Sequence, residues 1–183
     1  MIRASASLAL GALLCGAPLS AQAAHPAPPL RTLTDLARYV GSYPCQNGLL
    51  RSPVLLDALK KTLQQDYEAY REHMAESGCG PIERRGPYIF LDVSQLHVGG
   101  YGSMILVRQA DEKTFVYWLK STVAERDVGI YGSRPVPTDA LDLFAKEGNV
   151  GWGHVACFAV VQGDIAIDTT RRANQDTGEC ISP

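Results

Sequence analysis

The sequence predicts an α+β fold: an antiparallel β-sheet packed by helices, with an added C-terminal β-hairpin. Three observations lead there. An apolar stripe at helical spacing occupies residues 53–76, and from Tyr88 onward the pattern shifts to short runs at strand period. Helices stand before and after the strand runs, not between them. That grouping favours hairpin-connected strands over parallel crossovers.

The first residues read as a leader and not as fold. Arg3 precedes an apolar run from Leu8 to Leu14, and Ala21-Gln22-Ala23 offers a small-residue cleavage site. The run is too short to span a bilayer. The expected organisation is therefore a removed signal peptide over 1–23, a proline-rich entry segment over 24–33 and a single domain over 34–183. Periplasmic export follows from the leader.

Within the domain, Thr34 is expected to cap a short helical turn that Gly41 ends. Ser52 then serves as N-cap and Pro53 as the first residue of a long helix. Leu56, Leu59, Leu63, Tyr67, Tyr70 and Met74 form its apolar face, Glu68, Glu72 and Glu76 its solvated one, and Gly78 its stop. Strands are expected at 88–94, 103–109, 113–121 and 127–131, each alternating between a buried and an exposed face. Pro135 and Pro137 break the run. Thr138 starts a helix with Leu141, Phe144 and Ala145 inward, ending at Gly148. A hairpin over 154–161 and 164–168 turns at Gln162-Gly163, and the tail after Asp168 reads as irregular.

Removing 23 of the 183 residues leaves 160, enough for one ordinary core. It also changes 17 basic against 19 acidic side chains to 16 against 19, a net charge of −3. No basic cluster exceeds Arg84-Arg85 or Arg171-Arg172, which argues against nucleic acid as a partner. Of the five cysteines, Cys45, Cys79, Cys157 and Cys180 lie beyond the leader. An even count in an exported chain favours disulfides, with three connectivities open. A Cys45–Cys79 bridge meets a reach problem if 53–76 is one straight helix. Such a helix is about 36 Å long, whereas the seven steps from Cys45 to Ser52 span at most about 25 Å. The bridge becomes reasonable only if the helix breaks near Gln64–Asp66.

Enzyme signals are thin. His25, His73, His97 and His154 are scattered, without the paired spacing a metal site needs. No phosphate-cradling loop or serine elbow occurs, so no cofactor, metal or catalytic residue is assigned. The stretch "GWGHVACFAVVQGDIAI" (151–167) resembles the histidine strand of peptidoglycan-cutting cysteine amidases. That chemistry needs a thiolate at a helix N-terminus. Cys45 precedes a helix cap by seven residues and Cys79 follows a helix end, so both suit disulfides better.

The remaining candidate is "DVSQLHVGGYGSM" (92–104), where one histidine and a knot of glycines join two strand runs. Together with "LLRSPVLLDALKKTLQQDYEAYREHM", "GPIERRGPYIFLDVSQLHVGGYGSMILV" and "IYGSRPVPTDALDLFA", it resembles the family of periplasmic inhibitors of vertebrate lysozyme, Ivy, over roughly residues 40–147. The family signature is a loop Cys-Lys-Pro-His-Asp-Cys followed by Gly, whose histidine enters the catalytic cleft of a c-type lysozyme. In register, Ser94 stands for the first cysteine, Gln95 and Leu96 for Lys-Pro, and Val98 for the aspartate. Gly99 stands for the second cysteine, while His97 and Gly100 match. A loop without its own disulfide loses more freedom on binding, as do its glycines.

The resemblance implies an Ivy-like fold and a non-enzymatic role: a loop around His97 blocks a cell-wall-degrading enzyme, as an inhibitor or an immunity protein. Its contact residues would be Gln95, His97, Gly99, Gly100 and Tyr101, with Tyr101 as aromatic anchor. The expected partner is a protein, a c-type lysozyme or another muramidase; a homodimer is a further expectation. Two alternatives stand: a cysteine amidase using His154, and a non-catalytic envelope protein.

Overall fold

A computed structural model describes residues 29–75, 77–95, 102–120, 127–152 and 156–181. His25, Glu76, His97, Gly99, Gly100, Tyr101, His154 and the leader lie outside them. Gln95 is described in its backbone alone.

The chain enters through a 3-10 helix, Leu33–Tyr39, with Thr32 rather than Thr34 at its cap. The Asp35 carboxylate sets that start by accepting the amides of Arg31 at 2.7 Å and Thr32 at 3.1 Å. These bonds hold its pKa below the usual carboxylate value. Ser52 and Pro53 open helix α1 (Pro53–Leu63) as expected, although the Ser52 side chain makes no capping bond.

The long helix is not continuous. Gln64 adopts φ 51° and ψ −114°, one 3-10 turn covers Gln64–Asp66, and α2 runs Tyr67–Ala75. The break falls within the expected Gln64–Asp66 stretch, and the Cys45–Cys79 bridge is present, with Cα atoms 6.0 Å apart. Most of the apolar stripe survives the break: Leu59, Leu63, Tyr67, Tyr70 and Met74 are buried. At its start Leu55 and not Leu56 takes the fully buried place, and Leu56 is only partly buried. Helix α2 stops before Gly78, which belongs to a strand.

Six strands form one antiparallel sheet: β1 (Ser77–Cys79), β2 (Glu83–Arg85), β3 (Tyr88–Gln95), β4 (Gly102–Arg108), β5 (Thr114–Leu119) and β6 (Val128–Tyr131). Strands β3 to β6 follow one another as a meander. Both β1 and β2 lie along the remaining edge of β3, β2 opposite Tyr88–Phe90 and β1 opposite Val93–Gln95. The expected alternation of buried and exposed residues is absent from β3, β4 and β5, because both faces of the sheet are covered. Ile89, Leu91, Val93, Ile105, Val107, Val116 and Trp118 pack with the entry helix, α1 and α2. Tyr88, Phe90, Met104, Leu106, Phe115, Tyr117 and Leu119 pack with α3 (Thr138–Trp152) and with hairpin β7 (Cys157–Val161)–β8 (Asp164–Asp168).

Helix α3 continues four residues past the expected stop at Gly148. That glycine serves a close approach instead: a Cβ there would lie 3.1 Å from the Phe158 ring. Gln162 and Gly163, both at positive φ, turn the hairpin. The tail is not wholly irregular, since β9 (Arg172–Ala173) pairs with β10 (Cys180–Ile181), and a Cys157–Cys180 disulfide ties it to β7. Asn149 completes the joint. It is buried, donates to the carbonyls of Phe158 at 2.9 Å and Gly178 at 2.8 Å, and accepts the Phe158 amide at 2.7 Å. No helix among the described residues is long and apolar enough to cross a membrane.

Candidate functional site

Strands β3 and β4 pair from Tyr88↔Arg108 to Ser94↔Gly102, so residues 96–101 connect two adjacent antiparallel strands. The segment singled out by sequence thus hangs on a hairpin neck whose geometry is defined on both flanks. On one side β1 pairs with the end of β3, Ser77 opposite Gln95 and Cys79 opposite Val93, and Cys79 is bonded to Cys45. On the other side β5 pairs with the start of β4, Leu119 opposite Gly102 and Trp118 opposite Ser103.

Polar groups lock the neck from beneath. Ser103, fully buried, donates its hydroxyl to the Val93 carbonyl at 3.2 Å across the hairpin and shares a 2.8 Å hydrogen bond with the Tyr70 hydroxyl. Burial drives the Tyr70 phenol far above its ordinary pKa, so it remains a neutral partner. Tyr70 meets Trp118 edge-on at 5.2 Å, and His73 lies 5.8 Å from Tyr70 and 5.7 Å from Trp118. Burial lowers the His73 pKa, and its Nε2 has no hydrogen-bond partner. This imidazole is a packed neutral ring within the helical layer.

The opposite face of the neck is acidic. A cleft of about 360 Å³ lies between β2, β3 and the end of α3, with Glu83, Arg85, Asp92, Ser94 and Glu147 on its walls. Arg85 contacts Glu83 at 2.5 Å and Glu147 at 3.3 Å. Asp92 shares neither contact. Among the described residues its side chain accepts one hydrogen bond, from Ser94, long at 3.5 Å. Burial first, and Glu147 and Glu83 next, push its pKa up to about 6. Glu147 is raised as well, chiefly by burial, with Arg85 pulling the other way. Val150 and Gly151 bring the carbonyl end of α3 to the same cleft, which adds negative potential. Holding Asp92 ionised in this setting costs about 3 kcal/mol at pH 7. The cleft therefore favours a cationic group or a shared proton.

The structure does not bring Cys45 or Cys79 together with the histidine strand as a free nucleophile, because all four cysteines beyond the leader are paired. Sequence reasoning passed over Asp92, Glu147, Tyr70, Ser103 and Asn149. Asp92 alone carried a visible signal, a carboxylate inside the apolar run "YIFLDV". No group of three metal-ligating side chains occurs among the described residues. No family model, curated protein or solved structure matches the chain.

Proposed function

We propose that this is an exported, periplasmic, non-enzymatic protein that binds and blocks a cell-wall-degrading enzyme of the lysozyme or muramidase type. The 96–101 connection enters the target's cleft, with His97 as the group that meets its catalytic carboxylates and Tyr101 as neighbouring anchor. Gln95, Gly99 and Gly100 shape the contact. Glycosidase clefts hold paired carboxylates, and an imidazole can donate a hydrogen bond to them and gain a proton there. The protein serves as an inhibitor of a host enzyme or as an immunity protein against a rival's muramidase.

The observation that supports this reading is the clamped neck. An Ivy-like loop closed by its own disulfide is rigid when free. Here the Cys45–Cys79 bridge acts one strand away, fixing β1 against the end of β3. The Ser103–Val93 bond and the β5 pairing fix the other leg. Stiff legs reduce the ordering cost that a glycine-rich tip adds on binding. The acidic cleft beside the neck adds attraction for basic side chains around a target's groove. A cysteine amidase built on His154 would need a thiolate, and Cys45, Cys79, Cys157 and Cys180 are held in disulfides.

Clearing of a cell-wall suspension by a c-type lysozyme tests the proposal. Added protein should slow the clearing in a saturable way, and His97→Ala should weaken that effect at least tenfold. A wild-type protein that leaves c-type lysozyme and a panel of other muramidases at full rate removes the reading. Equal potency of the His97→Ala variant moves the contact elsewhere.

A further inference from the structure

The two disulfides differ in what governs thiol exchange: access to the attacked sulfur, and stability of the thiolate that leaves. Cys45 is exposed and Cys79 half-buried. The Cys45 amide donates a hydrogen bond to Cys79 Sγ at 3.1 Å. An N–H aimed at that sulfur stabilises the negative charge it takes on when the bridge opens. Beside Cys45 lies a cleft of about 270 Å³ with Arg51 and Arg71 on its walls. Arg71 is paired with Glu68 at 2.9 Å, so Arg51 is the cation that draws an anionic nucleophile toward this side of the bridge.

The Cys157–Cys180 bridge has the opposite setting. Cys157 is only 1% exposed, which blocks attack on it. Attack on the half-buried Cys180 would expel a thiolate at Cys157, between the buried Ala156 and Phe158, where burial penalises charge.

We infer that Cys45–Cys79 is a thiol-exchange site for a dithiol reductant, attacked at Cys45 Sγ and opened with Cys79 Sγ as the leaving thiolate. The incoming thiolate bonds to Cys45 Sγ as the bond between the two bridge sulfurs breaks, and its electron pair goes to Cys79. The second thiolate of the reductant then attacks its own partner sulfur in that mixed disulfide, and Cys45 leaves. The dithiol is oxidised to a disulfide, while two electrons and two protons end on Cys45 and Cys79. Strand β1 contributes no residue to either apolar core. Opening therefore leaves β1 with its short ladder to β3 and loosens Val93–Gln95, the leg that leads into the 96–101 connection. The exchange chemistry does not depend on the inhibitory reading.

Brief exposure of the full, folded protein to excess reduced glutathione, stopped with N-ethylmaleimide and followed by peptide mapping, tests the assignment. Glutathione should be found on Cys45 and maleimide on Cys79, with the reverse labelling at less than about a tenth of that level. Cys157–Cys180 should stay closed over the same interval. Arg51→Gln should slow opening roughly two- to fivefold, a difference that about 1 M salt should erase. Full opening with dithiothreitol should quicken amide exchange at Val93–Gln95 and leave the β4–β5 amides protected. Four results would each overturn the inference: glutathione mainly on Cys79, equal opening rates for the two bridges, opening only in denaturant, or a wild-type rate in Arg51→Gln. Unchanged exchange at Val93–Gln95 in the opened protein would overturn its link to the neck.

Discussion

Asp92 and His73 sit on opposite faces of the hairpin neck and respond to pH with opposite signs. The folded-state pKa of Asp92 is raised from 3.8 to about 6. The folded protein therefore holds that proton more tightly than the unfolded chain does, and stability contributed by Asp92 is lost as pH rises from 3.8 through 6. Asp92→Asn should consequently stabilise the protein by about 2–3 kcal/mol at pH 7.5 and by little at pH 4. Urea unfolding at the two pH values measures this; an equal or negative effect at pH 7.5 would mean that Asp92 has a counter-charge in solution. His73 has a folded pKa below its ordinary 6.5, so its contribution is lost as pH falls below that value.

Among the elements, β1 has the least support of its own. Three residues, Ser77–Cys79, carry no apolar side chain for either core, yet they cover the end of β3. What holds them is the Cys45–Cys79 bridge, which closes a separation of 34 residues. Loss of a bridge of that span destabilises by about 3–4 kcal/mol. In the Cys45→Ser/Cys79→Ser double variant, amide exchange should quicken first at Val93–Gln95. Inhibition of a muramidase target should weaken while the β4–β5 amides keep their protection. Unchanged exchange at Val93–Gln95 would show that β1 pairs without its tether.

Across the whole molecule, what could be read from sequence followed the range of the forces involved. The stripe from Leu59 to Met74 and the hairpin around Gln162-Gly163 are local patterns, and both are present; at the start of the stripe Leu55 replaces the expected Leu56. The helix break was not visible in composition, since glutamine is a good helix former. Its position emerged only as a condition on how far Cys45 could reach. The strands "SGC" and "ERR" have no strand signature and exist because β3 offers them an edge. Continuous runs such as "FVYWL" pointed to burial on both faces, which the expectation of alternation overlooked. The strands that flank the candidate loop were legible and pair as β3 and β4, while His97 itself lies outside the described residues. Asp92 was legible only as a charge out of place. Asn149 and the Tyr70–Ser103 pair depend on tertiary approach and leave no mark in the sequence.

The central claim, that the 96–101 connection on its clamped neck is the surface presented to a muramidase, is tested most directly by amide exchange on the complex. A c-type lysozyme is added to the full protein, and exchange is compared with and without it. The account predicts new protection centred on residues 94–103, with α1 and the β4–β5 turn unchanged. Protection confined to another surface, alongside measurable inhibition, would contradict it.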